Sequence, residues 1–242
     1  PARAFCDTCQ IYLSAVYEPL VTLGPDNQTL VPNIATEWEV NADLTVFTFK
    51  LNPAAVFADG SPIEAKDVKW TLERLGNLKA SPSFLMDGLV SIEEVDTHTV
   101  TITVAAPNSE FGNKLSAPYA GIINADVAMA AGATADAEAA TSDMSENWFL
   151  ENSAGSGPFT LANYAPETEL RLARNDSYYG AASPFTEVVI TQVQDSVSQA
   201  QALQSGAADI AMQVDADTAA SIGGGEVTTE IVPSFNYVYI AL

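Results

Sequence analysis

Apolar and polar positions alternate most regularly over residues 45–51, where Thr45, Phe47, Phe49 and Leu51 take turns with Val46, Thr48 and Lys50. A period of two puts the aromatic set on one face, so this stretch predicts a strand laid on a core. Glu37-Trp38-Glu39-Val40 predicts its hairpin partner across Asn41-Ala42-Asp43. The period then changes. Over residues 65–75, Val68, Leu72 and Leu75 recur at helical spacing, Lys66, Asp67, Lys69, Glu73 and Arg74 lie largely on other faces, and Gly76 stands where a helix would close.

A second hairpin is predicted from residues 90–95 and 99–104, turned at Asp96-Thr97, with Val100, Ile102 and Val104 alternating with threonines. Residues 128–145 are rich in Ala, Thr, Asp and Gly with little periodicity, which predicts a short helix and then a variable surface loop. Residues 159–164 and 169–174 read as a hairpin turned near Pro166-Glu167, and residues 187–193, apolar on both faces, as a buried strand. Asp195 or Ser196 opens a helix that Gly206 closes, and residues 209–212 return as a strand. Segments 226–232 and 235–242 are strand-like to the last residue. Strands and helices in this irregular alternation give an α/β fold with mixed sheets.

Charge narrows the partners. Among 242 residues there are 31 acids and 9 bases, a net charge of -22, and no base follows Arg174. Such a surface repels phosphate backbones and anionic lipid, which argues against nucleic acid and against direct membrane insertion. The apolar fraction of 48% provides for a packed core and excludes a disordered acidic tail. The most membrane-like stretch, residues 117–133, is interrupted by Pro118, Asn124 and Asp126. At Pro1 the sequence lacks the basic and apolar runs of a secretory leader.

Catalytic chemistry finds little footing. His98 is the sole histidine and falls at a predicted turn between Thr97 and Thr99, where it reads as solvated and not as a held catalytic base. Gly155-Ser156-Gly157 and Gly223-Gly224-Gly225 are not followed by the Lys-Ser/Thr of a phosphate cradle. No enzyme activity, cofactor or metal site is therefore expected. Cys6 and Cys9 form a C-x-x-C, but a zinc site needs two more ligands and the chain has no further cysteine. The pair reads first as a short structural disulfide of an exported protein, with free buried thiols and a thiol-disulfide redox pair as alternatives.

The order of the motifs carries a resemblance. Tyr17-Glu18-Pro19-Leu20-Val21, residues 30–40 from Leu30-Val31-Pro32 to Trp38-Glu39-Val40, and Phe57-Ala58-Asp59-Gly60-Ser61-Pro62-Ile63 come first. Gly155-Ser156-Gly157-Pro158-Phe159, Arg174-Asn175-Asp176-Ser177-Tyr178-Tyr179-Gly180 and residues 202–210 follow in order. This set resembles the family 5 extracellular solute-binding proteins of ABC transporters, which include dipeptide, oligopeptide and nickel receptors.

The resemblance implies a type II periplasmic-binding-protein-like fold, of which residues 1–242 would be the first lobe with the second lobe absent. Residues 1–40 and 155–242 would build its main subdomain, with 41–154 an inserted hairpin and helix subdomain. It implies a periplasmic or extracellular receptor, anchored to lipid through a removed N-terminal segment and monomeric. Such a receptor captures a small solute, foremost a di- or oligopeptide, between two lobes and delivers it to a membrane permease; a nickel chelate or an oligosaccharide is the alternative cargo. By position in the family pattern, Phe5, Phe84, Tyr119, Asn236 and Tyr237 are expected to face the ligand. Aromatic walls suit a receptor tolerant of different side chains, because a π-face packs without demanding one hydrogen-bond pattern.

Overall fold

The structure is a computed structural model that describes residues 1–6, 8–212, 214–222 and 227–230. It divides into two compact units, Pro1–Ile190 and Thr191–Leu242.

In the first unit, helix α1 (Cys9–Val16) leads into a two-stranded antiparallel ribbon of β1 (Val21–Leu23) and β2 (Leu30–Pro32). Strands β3 (Ala35–Val40) and β4 (Val46–Leu51) form the first predicted hairpin. Helix α2 (Ala65–Asn77) follows, and β5 (Leu89–Asp96) and β6 (Thr99–Val104) form the second hairpin, turned one residue later than expected, at Thr97-His98. The four strands make one antiparallel sheet in the order β3-β4-β6-β5. Its register sets Phe47 opposite Ile102 and Phe49 opposite Val100, while Ile92 faces Ile102 from the other side. These side chains are buried together with Val68, Leu72 and Leu75 of α2. Each such side chain withdrawn from water contributes about 1.5–3 kcal/mol, which is why the periodicity could be read so directly.

Helix α2 differs from its predicted form in two ways. Gly76 lies inside it, and the chain leaves the helix at Leu78 and Lys79, the latter at φ 54°. A side-chain carbon added at Gly76 would stand 3.2 Å from Met86 Cβ, so the glycine admits the 3-10 helix Ser81–Met86 against α2. Asp67 and Arg74 are buried instead of solvated. They continue one stripe of the helix with Thr71, whose Oγ1 accepts from the Ile123 amide at 3.0 Å. Asp67 Oδ2 accepts from the Glu64 amide at 3.0 Å and its Oδ1 from the Ala125 amide at 3.1 Å. One carboxylate thus caps the starts of two helices.

Residues 128–145 run, as expected, from a short helix into a largely exposed segment, but Arg74 anchors that segment to the core at Asp143 and Ser145. After α3 (Phe111–Lys114) and α4 (Ala125–Ala130), the chain runs through α5 (Ala139–Ser142) and dips so that Asp143 and Ser145 are buried, then continues as α6 (Glu146–Glu151). Arg74 Nε lies 2.8 Å from Asp143 Oδ2 and its Nη2 donates to Ser145 Oγ at 3.2 Å. The guanidinium sits over the rings of Trp70 at 5.7 Å and Phe149 at 5.3 Å. Burial pushes the Asp143 carboxyl up, but Arg74 outweighs it and holds the group well below the usual carboxylate range. Asp143 Oδ2 also accepts from the Thr134 amide at 3.2 Å, and the hydroxyls of Thr134 and Ser142 are 2.7 Å apart.

Strands β7 (Phe159–Ala165) and β8 (Glu169–Arg174) form the third hairpin, with Glu167 at φ 60° in its turn. β9 (Glu187–Thr191) extends the sheet in the order β7-β8-β9. It is not buried on both faces: exposed and half-buried residues alternate along it, because it stands at a sheet edge with one face open to solvent.

The second unit contains α7 (Ser196–Ser205) and α8 (Ala216–Ser221). As expected, Asp195 caps α7 by accepting from the Ser198 amide at 2.7 Å, and Gly206 ends it at φ 73°. The Asp215 amide donates to Ser196 Oγ at 3.1 Å, joining the two helix starts. Residues 209–212 do not form the predicted strand, since nothing among the described residues pairs with them and the short run lacks a ladder to join. The expected strands at 226–232 and 235–242 fall largely outside the described residues.

Candidate functional site

Three of the sequence-predicted residues meet in space. Phe5 lies in the segment before α1, Phe84 on the 3-10 helix Ser81–Met86 and Tyr119 on the 3-10 helix Pro118–Ala120. Pro82 and Pro118 each sit in the first turn of their short helix, where a fixed φ costs no hydrogen bond. The Phe5 ring packs edge-on to Phe84 with centroids 5.5 Å apart and tilts over Tyr119 at 4.9 Å. Phe5 is 51% and Phe84 47% exposed, whereas Tyr119 is 6% exposed. The cluster is an aromatic patch open on one side, with Tyr119 as its floor. Asn236 and Tyr237 lie outside the described residues.

The patch is fixed from below by contacts the sequence does not signal. Tyr119 Oη donates to the Cys6 carbonyl oxygen at 3.0 Å, across 113 positions of chain. Cys6 and Cys9 are joined in a disulfide, which removes the free-thiol reading. Cys9 is the first residue of α1, and its amide donates to Cys6 Sγ at 3.2 Å. Helix α1 itself escaped the sequence reading, because its apolar residues run Ile11, Leu13, Ala15 and Val16 without a clear helical period.

Behind α1 is a buried polar cluster, also missed. Glu18 accepts from Ser156 Oγ at 2.9 Å and from Tyr178 Oη at 3.0 Å. Gly155 and Gly157 press on the end of α1, where the Gly157 amide donates to the Val16 carbonyl at 3.0 Å. The two glycines thus serve close approach to the helix end. Burial pushes the Glu18 carboxyl up, against the pull of the neighbouring hydroxyls of Ser156, Tyr179 and Tyr178. The sign follows. A folded-state pKa above the ordinary 4.5 means that the folded state holds this proton more tightly, so Glu18 contributes fully below that value and its contribution is lost as pH rises through the folded pKa. Glu18→Gln is therefore expected to gain in melting temperature relative to the parent between pH 4 and pH 7, measured by calorimetry in a pH series. A constant difference across that series would contradict the assignment.

The sequence pattern of the bacterial extracellular solute-binding proteins, family 5 (middle region), matches residues 29–242. The chain belongs to this family. Within family 5 it is 30% identical over 211 residues to the probable D,D-dipeptide-binding periplasmic protein of Escherichia coli (strain K12), covering 87% of this chain and 39% of that one. Among solved structures it is similar to an Agrobacterium tumefaciens R10 binding protein in complex with agropinic acid, with TM-score 0.75 and 29% identity over 90% of this chain and 42% of that one. It is likewise similar to a nickel ABC transporter protein of Bacillus halodurans, with TM-score 0.73 and 28% identity over 90% and 42% of the two chains. The chain therefore spans about two fifths of the length of the relatives it matches. The mixed α/β architecture is that of family 5 binding proteins, although the β1-β2 ribbon, the four-stranded sheet and the β7-β8 hairpin are antiparallel where mixed sheets were expected. No helix among the described residues is long and apolar enough to cross a membrane.

Proposed function

We propose that this chain is the first-lobe portion of the substrate-binding component of an ABC importer, and that the Phe5, Phe84 and Tyr119 patch is part of its ligand surface. The reading includes a main subdomain of residues 1–40 and 155–242, an inserted subdomain of 41–154, a monomeric receptor anchored by lipid, and delivery of the solute to a permease. The single observation that carries it is the patch: two half-exposed rings held in fixed geometry over a third, in a chain of this family. A rigid aromatic face offers area for the varied side chains of short peptides with little ordering cost. The relative named as a D,D-dipeptide-binding protein favours the same cargo class.

The full-length protein carrying this chain would be tested by thermal shift with a pool of two- to five-residue peptides. A ligand bound only by the native state must raise the melting temperature. A rise with the pool but not with the matched amino-acid mixture is expected. Phe5→Ala is expected to weaken peptide binding about tenfold, or ~1.4 kcal/mol, at unchanged melting temperature of the unliganded protein. A shift with nickel chelates or sugar acids alone would keep the family and remove the peptide assignment.

A further inference from the structure

Residues 2–6 are anchored at both ends. At the start Ala2 is buried and Arg3 Nη2 lies 3.2 Å from Asp143 Oδ1. At the other end two separate holds converge on Cys6: its Sγ is bonded to Cys9 at the start of α1, and its carbonyl accepts from Tyr119 Oη at 3.0 Å. Phe5 stands directly before this doubly held residue, and its ring reaches Phe84 and Tyr119. Half of its surface is exposed, so packing alone does little to fix it.

The geometry points to the Cys6–Cys9 disulfide as a positioning element that acts through Phe5, with the Tyr119 hydroxyl as the second hold, and as one that a dithiol can release. Its effect on ligand rests on the binding reading above; its effect on Phe5 does not. Without the disulfide, the backbone between Arg3 and α1 regains the dihedral freedom that the cross-link removes. The hydrogen bond from Tyr119 Oη to the Cys6 carbonyl then becomes the main restraint on the backbone at Cys6, beside the hydrogen bond from the Cys9 amide to the Cys6 sulfur.

Release is sterically open. Cys6 is exposed and Cys9 half-buried, so a thiolate of the dithiol attacks Cys6 Sγ. The Cys6–Cys9 bond breaks, its electron pair goes to Cys9 Sγ, and that sulfur takes up a proton. The leaving thiolate stands at the first position of an α-helix, where the helix N-terminus favours negative charge. The second thiol of the reagent then displaces Cys6 as a thiol, and the dithiol departs oxidised to its cyclic disulfide. The protein gains two electrons and two protons.

The experiment uses the full-length protein with labelled phenylalanine and tyrosine, and reads the through-space contacts of Phe5 with Phe84 and Tyr119 by nuclear magnetic resonance. In the oxidised protein these contacts are expected to be present, and Tyr119→Phe is expected to leave the Phe5–Phe84 contact in place. After reduction by dithiothreitol their intensity is expected to fall by at least half, and in reduced Tyr119→Phe to vanish. The paired variant Cys6→Ser and Cys9→Ser provides the same state without reagent; reagent reduction stands in for it if the variant does not fold. In parallel, affinity for the dipeptide Ala-Phe, read by calorimetry, is expected to fall threefold to tenfold on reduction. Phe5 contacts unchanged in reduced Tyr119→Phe would overturn the proposal, as would lost contacts with an unchanged Ala-Phe affinity. Lost contacts in a protein that binds no peptide in either redox state would support the positioning role and count against the peptide reading alone.

Discussion

Asp143→Ala is expected to cost the Pro1–Ile190 unit about 3–5 kcal/mol of stability, the range for stripping one partner from a buried ion pair. The Arg74 side chain is 1% exposed and that of Asp143 0%, so neither charge has water to fall back on. Removing the carboxylate also takes the acceptor from the Thr134 amide and the Ser145 hydroxyl, and the countercharge from Arg3. The cost is that of an unmatched guanidinium between Trp70 and Phe149 more than that of one lost contact. Replacing both partners, as Arg74→Met with Asp143→Leu, is expected to recover the part of the loss that comes from the unmatched guanidinium, while the Thr134 amide and the Ser145 hydroxyl still lack their acceptor. Urea titration followed by tryptophan fluorescence measures both, since Trp70 reports on the cluster. Its pH dependence runs opposite to that of Glu18. With a folded-state pKa below the ordinary 3.8, Asp143 stabilises fully above that value, and its contribution is lost as pH falls towards the folded pKa. A double variant as unstable as Asp143→Ala would refute this account.

Gly155→Ala is the second large effect, with a loss above about 4 kcal/mol or failure to fold expected. A methyl there would stand 2.0 Å from the Val16 carbonyl oxygen and 2.9 Å from Tyr17 Cδ1. The oxygen belongs to the last turn of α1, so relief requires the helix and the strand-bearing segment to part. That separation would also disturb Glu18, whose partner Ser156 is the next residue. Gly60→Ala is the comparison: Gly60 has φ 85° but open space around it, so only the backbone penalty of about 1–2 kcal/mol applies. Equal losses at the two positions, in chemical denaturation, would show that close approach is not what Gly155 provides.

Elements whose burial follows a local period were legible in the sequence: β4, β6 and the apolar face of α2 each announce one buried side. So was α7, through Asp195 and Gly206, because capping and positive φ act within a few residues. Buried charge was not legible. Asp67 and Arg74 look like solvated helix residues until Ala125 and Asp143, 58 and 69 positions away, are brought to them. The short helix and exposed segment of residues 128–145 could be read from composition, but the anchoring of that segment by an arginine on another element could not. Edge strand β9 read as buried because apolar composition does not reveal whether a covering layer exists. The candidate site came from the order of family motifs and from nothing local: Phe5, Phe84 and Tyr119 share no spacing, and the Cys6 to Tyr119 hydrogen bond leaves no trace in either segment.

The bonds from Asp143 to Thr134 and from Thr134 to Ser142 close a neck, and residues 136–138 beyond it are exposed. Sequence length at the tip is thereby uncoupled from the core: residues added there lengthen a closed surface loop whose ends are already pinned. For protein engineering this marks an insertion point for a fluorescent reporter or an affinity tag. For the divergence of related receptors, it is a place where length can drift while the buried arginine keeps its partner.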